Sequence, residues 1–326
     1  MKTEILKLLR EHDGYVSGQE ICQQFQVSRT AVWKVINQLK EDGYQIEAVR
    51  NKGYCITKCP DVLSKEELES LMDTQWAGKS IVYYETTDST NVRAKRLAEE
   101  GAEHGMLVVA DRQESGKGRR GRSWDSSGVG NIYMSLLLRP DFPPIKAPML
   151  TLVMAYSVAQ VILKKEELNV KIKWPNDIVL NKKKVCGILT EMSAEIDYVN
   201  HVVIGVGMNV NEKEMAPEYS QTGTSLYIEG KQPVKRGELV AEIMKAFEEN
   251  YEFFLKTEDL SGIRDVYNQL LINEDRDVLV LEPGREYQAH ALGINEHGEL
   301  MVRKEDGTIE NIFAGEVSVR GVYGYV

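Results

Sequence analysis

The first 58 residues place their apolar side chains with the spacing of three short helices followed by two strands. On the first helix, Ile5, Leu8 and Leu9 share one face. Ser17 and Ser28 precede the next two helices and are good N-cap residues. The apolar stripe of the third helix consists of Val32, Val35, Ile36 and Leu39. Two short strands around the basic sequence RNKG complete a pattern typical of a winged helix-turn-helix.

Such a domain predicts DNA binding through its third helix and its wing, because the recognition helix of this fold lies in the major groove. The residues expected to face DNA from that helix are Ser28, Arg29, Thr30, Trp33, Lys34 and Asn37. Arg50 and Lys52, in the wing, would reach phosphate or the minor groove. The alternative is a small helical protein-interaction module whose charges are simply solvated.

From residue 63 to residue 275, helical and strand patterns alternate, which predicts an α/β domain with a mixed, largely antiparallel sheet. Asp88, Ser89, Thr90 and Asn91 are four consecutive N-cap types, more than one helix start needs, so the surplus could bind a polar ligand. The stretch APMLTLVMAYSVAQVIL predicts a buried core helix. We expect no window to approach the roughly 18 apolar residues of a membrane span.

From residue 276 to residue 326 the pattern changes to short strands separated by tight turns. Turn pairs at 283–284, 297–298 and 306–307 are evenly spaced, which favours a small β-barrel. The whole chain is therefore predicted to be a multidomain α+β protein with boundaries at 1–62, 63–275 and 276–326.

Charge and cysteine content refine this picture. The formal net charge is −10, but residues 1–58 carry nine Lys/Arg and seven Asp/Glu, which gives +2 there and −12 for the remainder. A slightly basic head avoids the repulsion that the rest of the chain would exert on DNA. The cysteines, none in CxxC spacing, are Cys22, Cys55, Cys59 and Cys186. With no signal-peptide pattern either, we expect reduced thiols and a cytoplasmic protein.

One glycine-rich stretch, SGKGRRGRSW at 115–124, carries four cations within six residues and connects two predicted strands, in the position of an active-site lid. Its charge would suit nucleic acid or a small anionic ligand. The chain has no Walker P-loop, no complete dinucleotide fingerprint and no Gly-x-Ser-x-Gly elbow. Polar residues at predicted strand ends suit carboxylate and phosphate binding better than nucleophilic hydrolysis. They are Lys173, Asn176, Asp177, Lys184 and Asn209.

Five motifs in this order resemble the biotin protein ligases of the bifunctional, biotin-operon-repressor type. They are TTDSTN at 86–91, GKGRRGRSW at 116–124, KWPND at 173–177, KVCGIL at 184–189 and GVGMNVN at 205–211. The resemblance covers essentially the whole chain. It implies a winged helix-turn-helix, a catalytic domain similar to class II aminoacyl-tRNA synthetases, and a C-terminal SH3-like barrel.

The resemblance also implies an activity. The chain would form biotinyl-5′-AMP from biotin and ATP with Mg²⁺, without a metal site made by the protein alone. It would then transfer biotin to a lysine of the carrier domain of acetyl-CoA carboxylase, with pyruvate carboxylase as a second candidate acceptor. The adenylate would act as corepressor: an adenylate-bound homodimer would bind operator DNA and repress biotin genes, without a membrane partner. The alternatives are a lipoate-type acyl-adenylate ligase and a ligand-sensing repressor with an inactive ligase domain.

The resemblance assigns roles to individual residues. The catalytic set is Lys184, Arg119 and Asp177, and loss of Arg119 would release reactive adenylate. The biotin-binding set is Ser89, Thr90, Asn91, Gln113, Gly116, Lys117, Gly118, Arg119, Lys184, Gly187, Leu189, Gly205 and Gly207. The ATP or adenylate set is Arg119, Arg120, Arg122, Trp124, Lys173, Asn176, Asp177, Asn209 and Arg320. Glu316 and Arg320 match the functional end of the C-terminal domain, or form a surface ion pair. Cys186 is expected to be a buried structural residue.

Overall fold

A computed structural model of the chain describes residues 1–126, 128, 130–165, 168–282, 284–314, 318–321 and 325–326. Glu316 and Pro283, which belong to predicted features of the C-terminal part, lie outside the described residues.

The N-terminal head contains the three helices and two strands that the apolar pattern predicts. They are α1 (Lys2–Glu11), α2 (Gly18–Phe25), α3 (Arg29–Glu41), β1 (Gln45–Val49) and β2 (Gly53–Lys58). The hydroxyls of Ser17 and Ser28 cap α2 and α3 as expected. On α1 the buried face contains Leu6 in place of the predicted Leu8, which is half-buried.

A seven-stranded sheet forms the centre of the described molecule. Its strands are β3 (Ile81–Thr87), β4 (Leu107–Gln113), β5 (Ile132–Leu138), β6 (Val170–Lys173), β7 (Asp177–Leu180), β8 (Lys183–Ala194) and β9 (Val199–Met208), in the order β3-β4-β5-β9-β8-β7-β6. Only the β3–β4 pair is parallel among the described strands, which confirms the mixed, largely antiparallel sheet.

Helices cover both faces of this sheet. They are α4 (Lys65–Leu71), α5 (Thr90–Glu99), α6 (Met149–Leu163), α7 (Leu226–Gly230), α8 (Arg236–Thr257) and α9 (Arg264–Leu270). On one face α6 packs against the sheet and against α8, while α5 packs against β4, β5 and β9 on the opposite face. The N-terminal end of α5 therefore meets the sheet where the predicted site residues lie.

The region of α6 corrects one expectation. Residues 144–163 are long and apolar enough to cross a bilayer by length and composition, so the statement that no window approaches a membrane span was wrong. Most of this segment is buried inside the fold, where it packs against α8 and the sheet. An all-round apolar helix is typical of the core of a large domain.

The described C-terminal part is a five-stranded antiparallel sheet. It lies in the segment for which the sequence predicts a small β-barrel. Its strands are β10 (Arg276–Glu282), β11 (Arg285–Ile294), β12 (Leu300–Arg303), β13 (Ile309–Ile312) and β14 (Ser318–Gly321), in the order β13-β12-β11-β10-β14. Gly298 and Gly307 lie in turns, as predicted, and both have positive φ. Trp174 Nε1 donates to the Gly298 carbonyl at 3.0 Å, which ties this sheet to the central domain.

Candidate active site

The first candidate cavity, about 50 Å³ in volume, lies between the start of α5, strands β8 and β9, and the basic loop. Its lining consists of Ser89, Thr90, Asn91, Gln113, Lys117, Gly118, Arg119, Trp124, Asn176, Lys184, Gly187, Ile188, Leu189, Gly205, Val206 and Gly207. Of the residues predicted to bind biotin, Gly116 alone is outside this lining. It is buried under the loop, where a Cβ would lie 2.5 Å from the Trp124 carbonyl oxygen.

The polar end of this cavity is built by the first turn of α5. The backbone N–H of Thr90 donates to Gln113 Oε1 at 2.9 Å, and the Thr90 hydroxyl lies 3.2 Å from the same oxygen. Gln113 Nε2 donates to Ser126 Oγ at 3.0 Å. Ser89 is the N-cap but makes no side-chain capping bond, so its hydroxyl is not used to start the helix. This agrees with the expected surplus of N-cap residues.

Two polar residues that sequence reasoning missed support this end. Ser135 Oγ lies 2.8 Å from Thr90 Oγ1 and 2.6 Å from Asn91 Oδ1. Asn91 Nδ2 in turn donates to Glu191 Oε2 at 2.8 Å. The one available signal for Ser135 was a single serine inside the otherwise apolar and aromatic strand IYMSLLL.

Glycines on β8 and β9 leave the floor of the cavity flat. Gly187 pairs with Gly207, and Leu189 pairs with Gly205. A Cβ on Gly205 would lie 2.1 Å from Asn91 Oδ1, and one on Gly207 would lie 2.6 Å from the Trp124 ring. The glycines therefore allow α5 and the indole to approach the strands closely.

The basic loop folds back on itself. Gly118 N donates to the Arg122 carbonyl at 2.8 Å, and Trp124 N donates to the Gly116 carbonyl at 2.9 Å. Arg120 has a φ of 59°. Arg120 and Arg122 are both exposed and point away from the cavity, and neither of them lines it.

Arg119 turns inward from the same loop. Its Nη1 donates to Asn176 Oδ1 at 3.0 Å, and its Nη2 donates to the Ala314 carbonyl at 2.7 Å. One side chain thus joins the loop, the β6–β7 turn and the turn that follows β13 in the C-terminal part.

A buried ionic cluster lies beside the cavity. Lys184 Nζ is 2.6 Å from Asp177 Oδ1, and the Tyr325 hydroxyl donates to Asp177 Oδ2 at 2.5 Å. Lys173 Nζ lies 3.7 Å from the centre of the Tyr325 ring. Lys173 and Asp177 are only 5% and 8% exposed. Neither lines a cavity directly, but their partner Lys184 does.

Burial and neighbouring charges set the protonation states of this cluster. Burial lowers the pKa of Lys173 to about 8. Burial alone would raise the pKa of Asp177, but Lys184 and Lys173 oppose it, and the pKa of this carboxyl lies below its usual range. Asp177 is therefore ionised at neutral pH, between two cations.

A second cavity, about 150 Å³, lies on the other side of the Trp124 indole. Its lining consists of Ser123, Trp124, Asp125, Gly128, Lys184, Asn209, Glu212, Met215, Tyr219, Thr222, Gly223 and Tyr325. Trp124 and Lys184 line both cavities. Asn209, predicted for ATP, is here, while Arg320 is exposed and lines neither cavity. Sequence reasoning missed Glu212, Met215, Tyr219 and Tyr325, which come from loops and the chain end.

Cys186 is fully buried, and burial raises the pKa of its thiol well above the usual range. It is therefore a structural residue at neutral pH, as expected. Among the described residues, no group of three His, Cys, Asp or Glu side chains is placed to hold a metal ion.

The residues of the head that are predicted to face DNA are mostly exposed. Arg29, Thr30 and Lys34 are exposed, Trp33 is 59% exposed, and Asn37 is half-buried. Ser28, Arg50 and Lys52 are exposed as well. An open groove of about 710 Å³ runs between α2, α3 and the wing.

Family models match the chain in the order of its parts: an HTH domain at residues 2–55, the biotin/lipoate A/B protein ligase family at 83–209, and the biotin protein ligase C-terminal domain at 275–320. Fold and site thus define a biotin/lipoate-type protein ligase joined to a helix-turn-helix domain. The bifunctional ligase/repressor BirA of Bacillus subtilis (strain 168) is 37% identical over 322 residues, 98% of each chain. This chain belongs to the bifunctional ligase/repressor BirA family.

Two further comparisons agree with this assignment. BirA of Escherichia coli (strain K12) is 28% identical over 305 residues, 93% of this chain and 92% of that protein. The structure of the biotin protein ligase from Aquifex aeolicus in complex with biotin and ATP has a TM-score of 0.65 and 31% identity, covering 74% of this chain and 99% of that chain. The predicted fold class and family are confirmed.

Proposed function

We propose that this chain condenses biotin with ATP to form biotinyl-5′-AMP, transfers biotin to a lysine of a carrier domain, and represses transcription through its N-terminal head. The observation that carries the ligase part is the position of Lys184. Its ammonium is paired with Asp177 at 2.6 Å and lies on the wall common to both cavities. A cation there faces the point where two anionic substrates must meet.

Biotin would occupy the first cavity. Its polar ureido ring needs donors and acceptors together, and Thr90, Gln113 and Ser89 supply them in a buried setting. Its aliphatic tail would lie along the glycine floor of β8 and β9, with the carboxylate directed towards Lys184. The predicted biotin-binding residues of the basic loop, from Gly116 to Arg119, would close over the ligand.

ATP would occupy the second cavity, with the Trp124 indole as a stacking surface and Asn209 near the ribose-phosphate end. Lys173, Asp177 and Asn176 lie behind the phosphates, and Arg119 restrains the adenylate. We assign Arg120, Arg122 and Arg320 to the outer phosphates, because they are the exposed arginines of the loop and of β14. Mg²⁺ would arrive with the phosphates.

The first chemical step is an adenylyl transfer at phosphorus, and the second is an acyl transfer to an amine. A biotin carboxylate oxygen attacks the α-phosphorus of ATP, and pyrophosphate leaves. The amine of an acceptor lysine then attacks the acyl carbon, AMP leaves, and the amine loses a proton. The first step brings two anions together, so a preorganised cation such as Lys184 stabilises its transition state. Arg119 would keep the reactive adenylate enclosed between the steps.

For the second function, the exposed face of α3 and the wing would bind operator DNA. Half-site geometry favours a two-fold symmetric operator and a dimer, because each chain has one reading head. We propose that the adenylate-bound form is the dimer, that biotin carrier domains of acetyl-CoA carboxylase and pyruvate carboxylase are the acceptors, and that the protein works in the cytoplasm.

Purified full-length chain should be incubated with labelled ATP and either biotin or lipoate, and the adenylate product separated. We expect biotinyl-5′-AMP, and label transfer when a carrier domain is added. Lipoyl-adenylate in its place would favour the lipoate-type alternative. No adenylate, together with biotin-dependent DNA retention in a gel shift, would favour the inactive-ligase alternative.

A further inference from the structure

The end of the chain returns to the ligase site. Tyr325, the penultimate residue, belongs to the C-terminal part, yet it lies against the turn between β6 and β7 that carries Lys173 and Asp177. It also lines the second cavity, with Trp124 and Lys184.

Tyr325 engages two ions of the buried cluster in different ways. Its hydroxyl donates to Asp177 Oδ2 at 2.5 Å, while Asp177 Oδ1 is 2.6 Å from Lys184 Nζ. The phenol thus occupies one carboxylate oxygen and leaves the other facing Lys184. Its ring meets the ammonium of Lys173 at 3.7 Å, a cation–π distance.

The neutral phenol suits this position chemically. Burial raises the pKa of Tyr325 well above its usual value, and the Asp177 charge raises it further. The hydroxyl therefore remains a donor at neutral pH. A further anion at this position would compete with Asp177 for the two lysines, and a further cation would repel the lysines.

We propose that Tyr325 is a positioning residue of the ligase site, which fixes the Asp177 carboxylate and Lys173 so that Lys184 is held on the wall common to both cavities. Tyr325 is then part of the active site, although it lies outside the matched C-terminal domain at 275–320. This inference rests on the proposed ligase function.

The chain offers a matched control. The Tyr287 hydroxyl donates to Glu310 Oε2 at 2.8 Å, and Lys304 Nζ lies 5.4 Å from the Tyr287 ring centre. This is the same hydroxyl, carboxylate and lysine arrangement, but neither cavity is lined by these residues. Tyr287→Phe therefore removes a comparable hydrogen bond away from the site.

The test measures single-turnover formation of biotinyl-5′-AMP and the KM values for biotin and ATP. A hydrogen bond to a charged group suggests that Tyr325→Phe slows adenylate formation roughly tenfold with the KM for biotin unchanged. Tyr325→Ala also removes the ring, and we expect a loss of about a hundredfold with a higher KM for ATP. Tyr287→Phe should match the parent.

Tyr325→Phe keeps the ring and its packing, so this variant decides the question even where Tyr325→Ala fails to fold. An active parent whose Tyr325→Phe variant is equally active overturns the positioning role and leaves the ligase function intact. Equal slowing by Tyr287→Phe also overturns it, because the effect would then be general destabilisation. A parent that forms no adenylate contradicts the ligase function first, and this inference with it.

Discussion

At the scale of single residues, the proposed function depends on the cation at the place where the two substrates would meet. Among the cationic side chains of the described residues, Lys184 is the one that lines both cavities. Arg120 and Arg122 are exposed and point outward. Asp177 holds its ammonium at 2.6 Å. A charge held in place by the fold needs no reorganisation when the phosphorus is attacked.

Replacing Lys184 with alanine should therefore slow adenylate formation by roughly 100- to 1000-fold, the range seen when one preorganised charge stabiliser is removed. The measurement is single-turnover formation of biotinyl-5′-AMP. Lys183→Ala is the matched control, because the adjacent lysine donates to the Ser220 carbonyl at 3.0 Å and lines neither cavity. A Lys184→Ala variant as fast as the parent would remove Lys184 from the mechanism.

The sequence predicted Lys184, Asp177 and Thr90 because their motifs have a recognisable order and spacing. Ser135, Glu191 and Tyr325 escaped it for a physical reason. Each reaches the site through tertiary structure: Ser135 across the sheet, Glu191 from β8 to α5, and Tyr325 from the chain end. No local pattern marks a residue whose partner lies tens of positions away.

The pKa of Lys173, about 8 because of burial, predicts a pH dependence. Asp177 faces it with a negative charge, and Lys184, Arg320 and Arg122 face it with positive ones. The folded pKa is below the usual lysine value, so Lys173 is charged below about pH 8 and neutral above it.

We expect kcat/KM for ATP to fall as pH rises through about 8, since this ratio reports the free enzyme. In Lys173→Arg the charge persists, so the decline near this pH should disappear even if the overall rate is lower. An identical decline in both proteins would show that another group titrates.

At the scale of elements, the basic loop at 115–124 and the strands beneath it form one unit. The Trp124 indole of the loop lies on the glycines of β8 and β9. Arg119 links the loop to Asn176 and to the Ala314 carbonyl through hydrogen bonds at 3.0 and 2.7 Å. The sequence predicted the loop and both strands correctly. It did not predict that Arg119 turns towards the first cavity while Arg120 and Arg122 turn towards solvent.

Trypsin should detect closure of this loop. Exposed Arg120 and Arg122 should be cut in free protein and protected when biotin and ATP are present, because like charges in the loop repel until a phosphate lies between them. Cutting after exposed Lys231, which lines neither cavity, should stay the same and serves as the internal reference. Equal cutting at the arginines with and without ligands would contradict closure.

At the scale of the whole molecule, buried ions join the DNA-binding head to the ligase domain. Glu67 of α4 is 4% exposed and accepts from Arg10 of α1 at 2.6 Å and from the Tyr44 hydroxyl. Asp61, in the linker, binds Arg236 at the start of α8, which also reaches Asp111 at 2.9 Å. The sequence predicted both parts, but it could not predict these pairs, since they connect residues far apart along the chain.

Removing Glu67 should loosen the head without harming the ligase. Glu67→Ala leaves a partly buried Arg10 without its carboxylate, which we expect to cost roughly 2–4 kcal/mol of head-docking free energy. Amide hydrogen exchange in α1 and α3 should accelerate, operator affinity should fall, and adenylate formation should stay within about twofold of the parent. Glu66→Ala, on the same helix, is the control, because its 3.7 Å ion pair with Lys2 of α1 is longer and more exposed than the Glu67–Arg10 pair. Unchanged exchange in Glu67→Ala would contradict this junction.

The central claim is that one chain makes the adenylate and dimerises when it holds it. Native mass spectrometry of the full-length protein, after incubation with biotin and ATP, reports the bound ligand and the oligomer in the same spectrum. The account predicts monomers without substrates and, with both, dimers carrying one biotinyl-5′-AMP per chain. Monomers without bound adenylate in the presence of biotin and ATP would contradict it.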